Sequence, residues 1–309
     1  MTRRFAIYAA PGTGSADAAA TLLRERAEQW LGRSVSGDPV TPGGPAGWTR
    51  EAVDAITVSA RRYGFHGTLK APFYLAPGRT AEELDTTLAQ FAAARERVLI
   101  PRLRVGRLGG FFALVPGAGE AGEAGEVEEA EEAEQVGAVG SGVVAGSGVV
   151  AGSGVVAGTG VVTDAAGLHA LADEVVTAFD GFRAPPSEAE LARRDPASLT
   201  PRQRELLEAW GYPYVLDEFR FHLTVTDRIP VARQSAVERA LTSWFAMSLE
   251  ATVPIDALAL FTEAEPGAPF TLQAVHPLRP VASSRRAAGA ADKVGLTDTA
   301  SATASEGAR

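Results

Sequence analysis

Apolar positions along the chain alternate with polar ones in some stretches and recur at helical spacing in others, the pattern of an α+β protein. Arg4 to Ala10 reads as a first strand, ended by Pro11-Gly12. After a Ser15 N-cap, Leu22, Leu23, Ala27, Trp30 and Leu31 form one helical stripe, stopped at Gly32. Residues 33–56 are rich in Gly and Pro and read as loop. A strand is predicted from Tyr63 to Leu75. Thr80 and Glu83 make a capping box before a helix faced by Leu84, Leu88 and Phe91. Strands over Val98 to Leu108 and Phe111 to Val115 follow, joined by a Gly109-Gly110 turn.

Both periods vanish over 117–163. Eight glutamates between Glu120 and Glu134 come first, and Gly-Ser-Gly-Val-Val-Ala then recurs from Gly140, Gly146 and Gly152, with a varied copy at Gly158. A hexapeptide β-helix would repeat in this way, but so few large side chains bury little, and a low-complexity, disordered insertion is the preferred reading. Periodicity returns with Leu168, Leu171, Val175 and Phe179 on one helical face. Ser187 with Glu190 caps a short helix, and Thr200, Pro201 and Gln203 open another that Gly211 stops. A strand from Val215 to Thr226 comes next, then a helix marked by Val237, Ala240, Leu241, Trp244 and Phe245. Strands over Ala251 to Phe261 and Phe270 to Val275 complete the series, and 281–309 reads as a disordered tail. Residues 1–116 and 164–280 thus repeat one order: helix, strand, helix, strand, strand. The expectation is a bilobal, duplicated α+β fold with pseudo-two-fold symmetry. Two antiparallel sheets would face a central cleft, with helices outside.

Composition narrows the setting. The 309 residues are 46% hydrophobic and 22% charged, ordinary for a globular protein. With no cysteine, disulfides and thiolate metal sites are excluded, and a cytoplasmic location is expected. The apolar run after Arg3-Arg4 is too short for an export signal, and no run is long enough to span a membrane. Net charge is −9, but without the eight clustered glutamates it would be −1. This near-neutral body speaks neither against an anionic substrate nor for a long nucleic-acid partner. A monomer is expected.

Two of the four histidines share a tetrad, His-x-Thr-apolar: His66-Gly67-Thr68-Leu69 and His222-Leu223-Thr224-Val225. Alternation along a strand puts Gly64, His66, Thr68 and Lys70 on one face, and Arg220, His222, Thr224 and Thr226 on one face of the other. If the faces oppose each other, the groups converge. An imidazole exchanges protons near neutral pH. Displacement at phosphorus needs a base on the attacking oxygen and an acid on the leaving one, which two opposed histidines supply. Thr hydroxyls can hold the non-bridging oxygens and cations can offset their charge. A single such tetrad would read as a strand histidine satisfied by a local hydrogen bond; two at matching positions favour function.

The paired tetrads resemble the signature of the 2H phosphoesterase superfamily, which includes cyclic nucleotide phosphodiesterases and 2′-5′ RNA ligase-like proteins. Arg62-Tyr63-Gly64-Phe65-His66, Lys70-Ala71-Pro72-Phe73, Trp210-Gly211-Tyr212-Pro213-Tyr214 and Glu218-Phe219-Arg220-Phe221-His222 resemble the branch associated with phosphonate metabolism. This resemblance implies hydrolysis or transfer at a cyclic phosphodiester, with His66 and His222 as acid and base and Thr68 and Thr224 on the phosphate. Lys70 and Arg220 are further candidates by parity, and Tyr63, Tyr212 and Tyr214 could stack on a base or sugar. His169 falls on the surface side of its helix, and His276 reads as structural. No carboxylate shares the tetrad faces, so neither metal nor other cofactor is expected. No P-loop, Gly-x-Gly-x-x-Gly or serine-nucleophile motif is present. The expected partner is a small phosphorylated substrate. RNA 2′,3′-cyclic end processing or 2′-5′ ligation is the alternative chemistry, and a non-catalytic phospho-ligand or RNA-binding module is the non-enzymatic one.

Overall fold

In the computed structural model, residues 3–117 and 165–281 are described. The expected insertion beyond Gly117 and the tail beyond Val281 lie outside them. In chain order the elements are β1 (Arg4–Ala9), α1 (Ala18–Leu31), α2 (Arg50–Asp54), α3 (Val58–Tyr63), β2 (Gly67–Tyr74), α4 (Ala81–Ala93), β3 (Val98–Ile100), β4 (Leu103–Leu108) and β5 (Phe111–Pro116). After the gap come α5 (Ala165–Ala178), α6 (Glu188–Arg193), α7 (Pro201–Trp210), β6 (Leu223–Thr224), α8 (Val231–Phe245), β7 (Val253–Ile255), β8 (Ala257–Glu263) and β9 (Thr271–Pro277).

The strands do not sort by half of the chain. One antiparallel sheet runs β2-β1-β8-β9 and another β4-β5-β6, with β3 paired to β7 as a separate ribbon. The sheet that follows His66 therefore contains two strands from beyond residue 250, and the one bearing Thr224 contains two from before residue 117. Lobes drawn at 1–116 and 164–280 are interleaved rather than contiguous. The fold is α+β with several antiparallel sheets.

Local chemistry accounts for the boundaries. Asp17, rather than Ser15, caps α1: its carboxylate accepts from the Ala20 N–H at 2.8 Å, while the Ser15 hydroxyl accepts from the Asp17 N–H and donates to Asp256. Capping boxes at Thr80/Glu83 and Thr200/Gln203 form as the spacing predicts, and Ser187 and Glu190 bond reciprocally. The stretch 33–56 contains one short helix, α2, whose five residues cannot display a helical period. The single strand expected over Val98 to Leu108 divides at Pro101-Arg102, and its two parts join different sheets. Proline supplies no ladder donor, which suits the break.

Both strands expected around the tetrads are shorter than the pattern implies. Tyr63 ends α3 and β2 begins only at Gly67. Before the second tetrad a 3₁₀ turn occupies Leu216–Glu218, with Leu216 at φ 54°, and ladder pairing is confined to Leu223 and Thr224. Phe5, Ile7 and Ala9 from β1, Trp30 from α1, Phe112 and Leu114 from β5 and Phe221, Leu223 and Val225 around β6 belong to one continuous core. Burial of such side chains is worth about 1.5–3 kcal/mol each, and here it joins the two histidine-bearing regions.

Candidate active site

The apolar sides of the two tetrads pack on each other. A β-carbon placed on Gly67 would stand 2.7 Å from the Phe221 ring and 3.2 Å from Leu223. Gly67 is thus the contact point where the first tetrad can approach the second. The Trp30 indole donates to the Val225 carbonyl at 2.7 Å, and the Asp227 carboxylate accepts from the Ser59 and Ala60 N–H groups at the start of α3. The turn leaving the second tetrad therefore fixes the helix that leads into the first.

Each histidine is held in the same manner. His66 Nδ1 lies 2.9 Å from the Gly64 carbonyl oxygen, and His222 Nδ1 lies 2.8 Å from that of Arg220. A carbonyl only accepts, so Nδ1 carries the proton in both rings, and in the neutral form Nε2 is the basic atom. The Thr68 hydroxyl lies 3.3 Å from His66 Nε2 and can donate to it. Gly64 is required for this tether. Its φ of 79° with ψ of 179° is a conformation open essentially to glycine, and an added β-carbon would lie 2.2 Å from Val35.

The surroundings of the two rings differ. The Tyr8 ring lies on His66 with centroids 3.8 Å apart and planes 25° from parallel. Tyr63 and Phe261 flank the same imidazole at 6.2 and 6.3 Å. Burial pushes the His66 pKa down to about 4, the Gly64 carbonyl opposes that shift, and the charge of His222 adds to it. Among the described residues, Phe111 is the ring that meets His222, at 5.9 Å with planes 57° apart.

Lys70 corrects the parity argument. Tyr8 opposes Thr68 across the ladder, but Ile7 opposes Lys70, so one step along β1 spans two along β2. This bulge reverses the alternation after Thr68. Lys70 turns into the interior, where its ammonium donates to the Val176 carbonyl at 3.1 Å and pairs with Asp180 at 3.4 Å. Burial pushes its pKa down to about 8, with Asp180 opposing the shift. A similar irregularity follows Thr224. The N–H groups of Val225 and Thr226 both donate to the Phe112 carbonyl, and the buried Thr226 hydroxyl accepts from the Phe112 N–H at 2.9 Å. Thr226 therefore leaves the face it was expected to share with His222.

Of the remaining candidates, Thr224 is half-buried on β6 opposite Ala113. The Arg220 side chain is exposed, and its carbonyl serves His222. Tyr63 stacks on Phe270 with centroids 5.0 Å apart, beside His66. Tyr212 and Tyr214 meet edge to face and pack with Leu199 and Leu207 around α7, which gives them a core role. His169 is exposed, edge-on to Phe219, and His276 bonds Asp85 at 2.8 Å, tying β9 to α4. Tyr8, Gly64 as a tether, and Asp227 were not identified from sequence. Strand parity could have flagged Tyr8 only if the pairing of β1 with β2 had been known. Among the described residues no group of three or more His, Asp or Glu could hold a metal ion.

Comparison with known proteins adds the following. The chain is 34% identical over 272 residues to ribose 1,5-bisphosphate phosphokinase PhnN of Janthinobacterium sp. (strain Marseille), covering 86% of this chain and 49% of that protein. It is 29% identical over 275 residues to the protein of the same name from Laribacter hongkongensis (strain HLHK9), covering 87% and 50%. It thus spans about half the length of these curated relatives. The family described as protein of unknown function DUF1045 matches residues 68–125 and 148–271, a region that begins at Thr68 and includes His222 and Thr224. The chain belongs to the DUF1045 family.

Proposed function

We propose that this protein is a metal-independent phosphoesterase of the 2H type, acting on a small cyclic phosphodiester, with His66 and His222 as the acid/base pair. The observation that carries this reading is the matched tether. Both imidazoles have Nδ1 bonded to the carbonyl two residues back, which leaves Nε2 as the proton-exchanging atom in each. Each ring also has a threonine two residues on, and the two tetrads pack through Gly67 and Phe221.

In the reaction a water oxygen attacks phosphorus and gives its proton to one Nε2. The ring P–O bond breaks, and its oxygen takes a proton from the other, protonated imidazole. A phosphate monoester and a free hydroxyl result. The hydroxyls of Thr68 and Thr224 would hold the non-bridging oxygens.

A ribose cyclic phosphate is the favoured substrate, in keeping with a role in phosphonate metabolism. The relatives named above are ribose 1,5-bisphosphate phosphokinases, so their names specify a phosphorylated ribose. Kinase activity is not carried over: the chain corresponds to half of those proteins and has no Gly-x-x-x-x-Gly-Lys-Ser/Thr cradle for a nucleoside triphosphate.

The test is turnover of a panel of ribose cyclic phosphates in excess EDTA. The wild type should open one of them to the monoester, and His66→Ala and His222→Ala should each lower the rate by roughly 10²–10⁴-fold. Loss of wild-type turnover in EDTA, or an active His222→Ala variant, would refute the mechanism.

A further inference from the structure

Two histidines with the same tether and the same neighbouring threonine would be interchangeable if nothing else distinguished them. The protein distinguishes them by what lies against each ring. Tyr8 comes from β1, is fully buried, and pairs with Thr68 across the ladder on one side and Ala259 on the other. This register brings the phenol over the His66 imidazole, 3.8 Å away and within 25° of parallel. Phe261, from β8, packs beside Tyr8 at 4.9 Å, tilted to it by 49°. Among the described residues the ring that meets His222 is Phe111, tilted by 57° at 5.9 Å.

We infer that Tyr8 is a positioning residue of the paired-histidine site, clamping the His66 ring and making His66 the proton acceptor while His222 serves as the donor. This inference rests on the proposed phosphoesterase reading for its catalytic meaning, but the clamp itself can be tested without substrate. With one face covered by Tyr8 and Nδ1 tied to Gly64, the imidazole has one orientation, with Nε2 beside the Thr68 hydroxyl. Water is excluded from the covered face, which disfavours the charged ring.

Tyr8 faces His66 from β1, Thr68 from β2, Tyr63 from α3 and Phe261 from β8, with His222 as the charged neighbour that acts on it. An ion-paired cluster lies against Tyr63 and Phe270. There the Arg62 guanidinium stands 5.2 Å from the Tyr63 ring, and Glu263 bonds both Arg62 and Arg4. A neutral His66 at physiological pH agrees with the lowered pKa already described. The ring contact and strand register carry the inference independently.

Several substitutions separate the contributions. Tyr8→Phe keeps the stacked plane and removes the hydroxyl, Tyr8→Ala opens the covered face, and Tyr8→Leu fills the space without a ring in case the alanine variant does not fold. Imidazole titration of His66 and His222 by NMR, on the full chain without ligand, is the primary measurement. The Tyr8→Ala or Tyr8→Leu variant should raise the His66 midpoint by about one unit or more, leaving His222 in place, and Tyr8→Phe should match the wild type. On a substrate that the wild type turns over, the acid limb of kcat/KM should rise in parallel, with kcat reduced more than KM is changed. The clamp is overturned if the His66 midpoint stays put in both ring-less variants, or if Tyr8→Phe shifts it as far as Tyr8→Ala. A clamp that behaves as stated, in a protein whose His66→Ala variant keeps full turnover, would refute the catalytic reading and leave the packing claim standing.

Discussion

His66 and His222 are each tied through Nδ1 to the carbonyl two residues back, yet Tyr8 lies flat on the first ring while Phe111 meets the second at a tilt. The tethers come from the residues just before each tetrad. The covers come from strands elsewhere in the chain, β1 for one and β5 for the other. Repetition along the chain thus accounts for what the sites share, and pairing between distant strands accounts for how they differ. Acid/base catalysis needs both. The rings must present equivalent Nε2 atoms to one phosphate, and must hold different protonation states at the same pH.

The largest expected effect outside the histidines comes from breaking one tether while leaving the other. Gly64→Ala places a β-carbon against Val35 and forces alanine into a backbone region it does not adopt. We expect about 3 kcal/mol of lost stability, read as a fall in the denaturant midpoint. Turnover of the folded fraction should also fall, although the His222 tether is untouched. A variant of full stability and full activity would show that the tether does not require glycine at position 64.

A smaller effect follows from the cover over the His66 ring. The folded-state pKa of His66 is lowered, from an ordinary value near 6.5 to about 4. The unfolded chain therefore takes up a proton first as pH falls. His66 contributes no penalty above about pH 6.5, and stability drops progressively between there and about pH 4, by roughly 2 kcal/mol after allowing for the partly open ring. Unfolding curves across this range should lose that component in His66→Gln. An unchanged slope would place the His66 ring in water.

The smallest effect is expected at Lys70. Asp180 keeps Arg183 at 2.9 Å when the lysine is removed, so Lys70→Met should leave stability unchanged or raise it by about 1 kcal/mol. Turnover should stay at the wild-type level. A Lys70→Met variant that folds normally and loses turnover would return Lys70 to the site.

These cases mark what sequence alone could supply. The tetrads, the capping boxes and the helical faces were legible because each depends on residues within one turn or one strand. The placement of Lys70 was not, because a bulge opposite Ile7 and Tyr8 reverses the alternation that parity assumes. The pairing of strands across the two halves of the chain is not legible for a related reason. Repeated element order says nothing about which strands pair, and β8 crosses back to lie beside β1. Tyr8 remained hidden because its role depends on both of those pairings. Gly67 stood in plain view in the tetrad, but its use as the contact point for Phe221 needed the three-dimensional packing.

The central claim is that His66 and His222 act on one phosphate as a unit, and a double-mutant cycle tests it most directly. Residues that act together lose most of their effect with the first removal. With a cyclic phosphate that the wild type hydrolyses, the His66→Ala/His222→Ala double variant should turn over within about tenfold of the slower single variant. Single-variant losses that multiply in the double variant, or either single variant at the wild-type rate, would contradict the account.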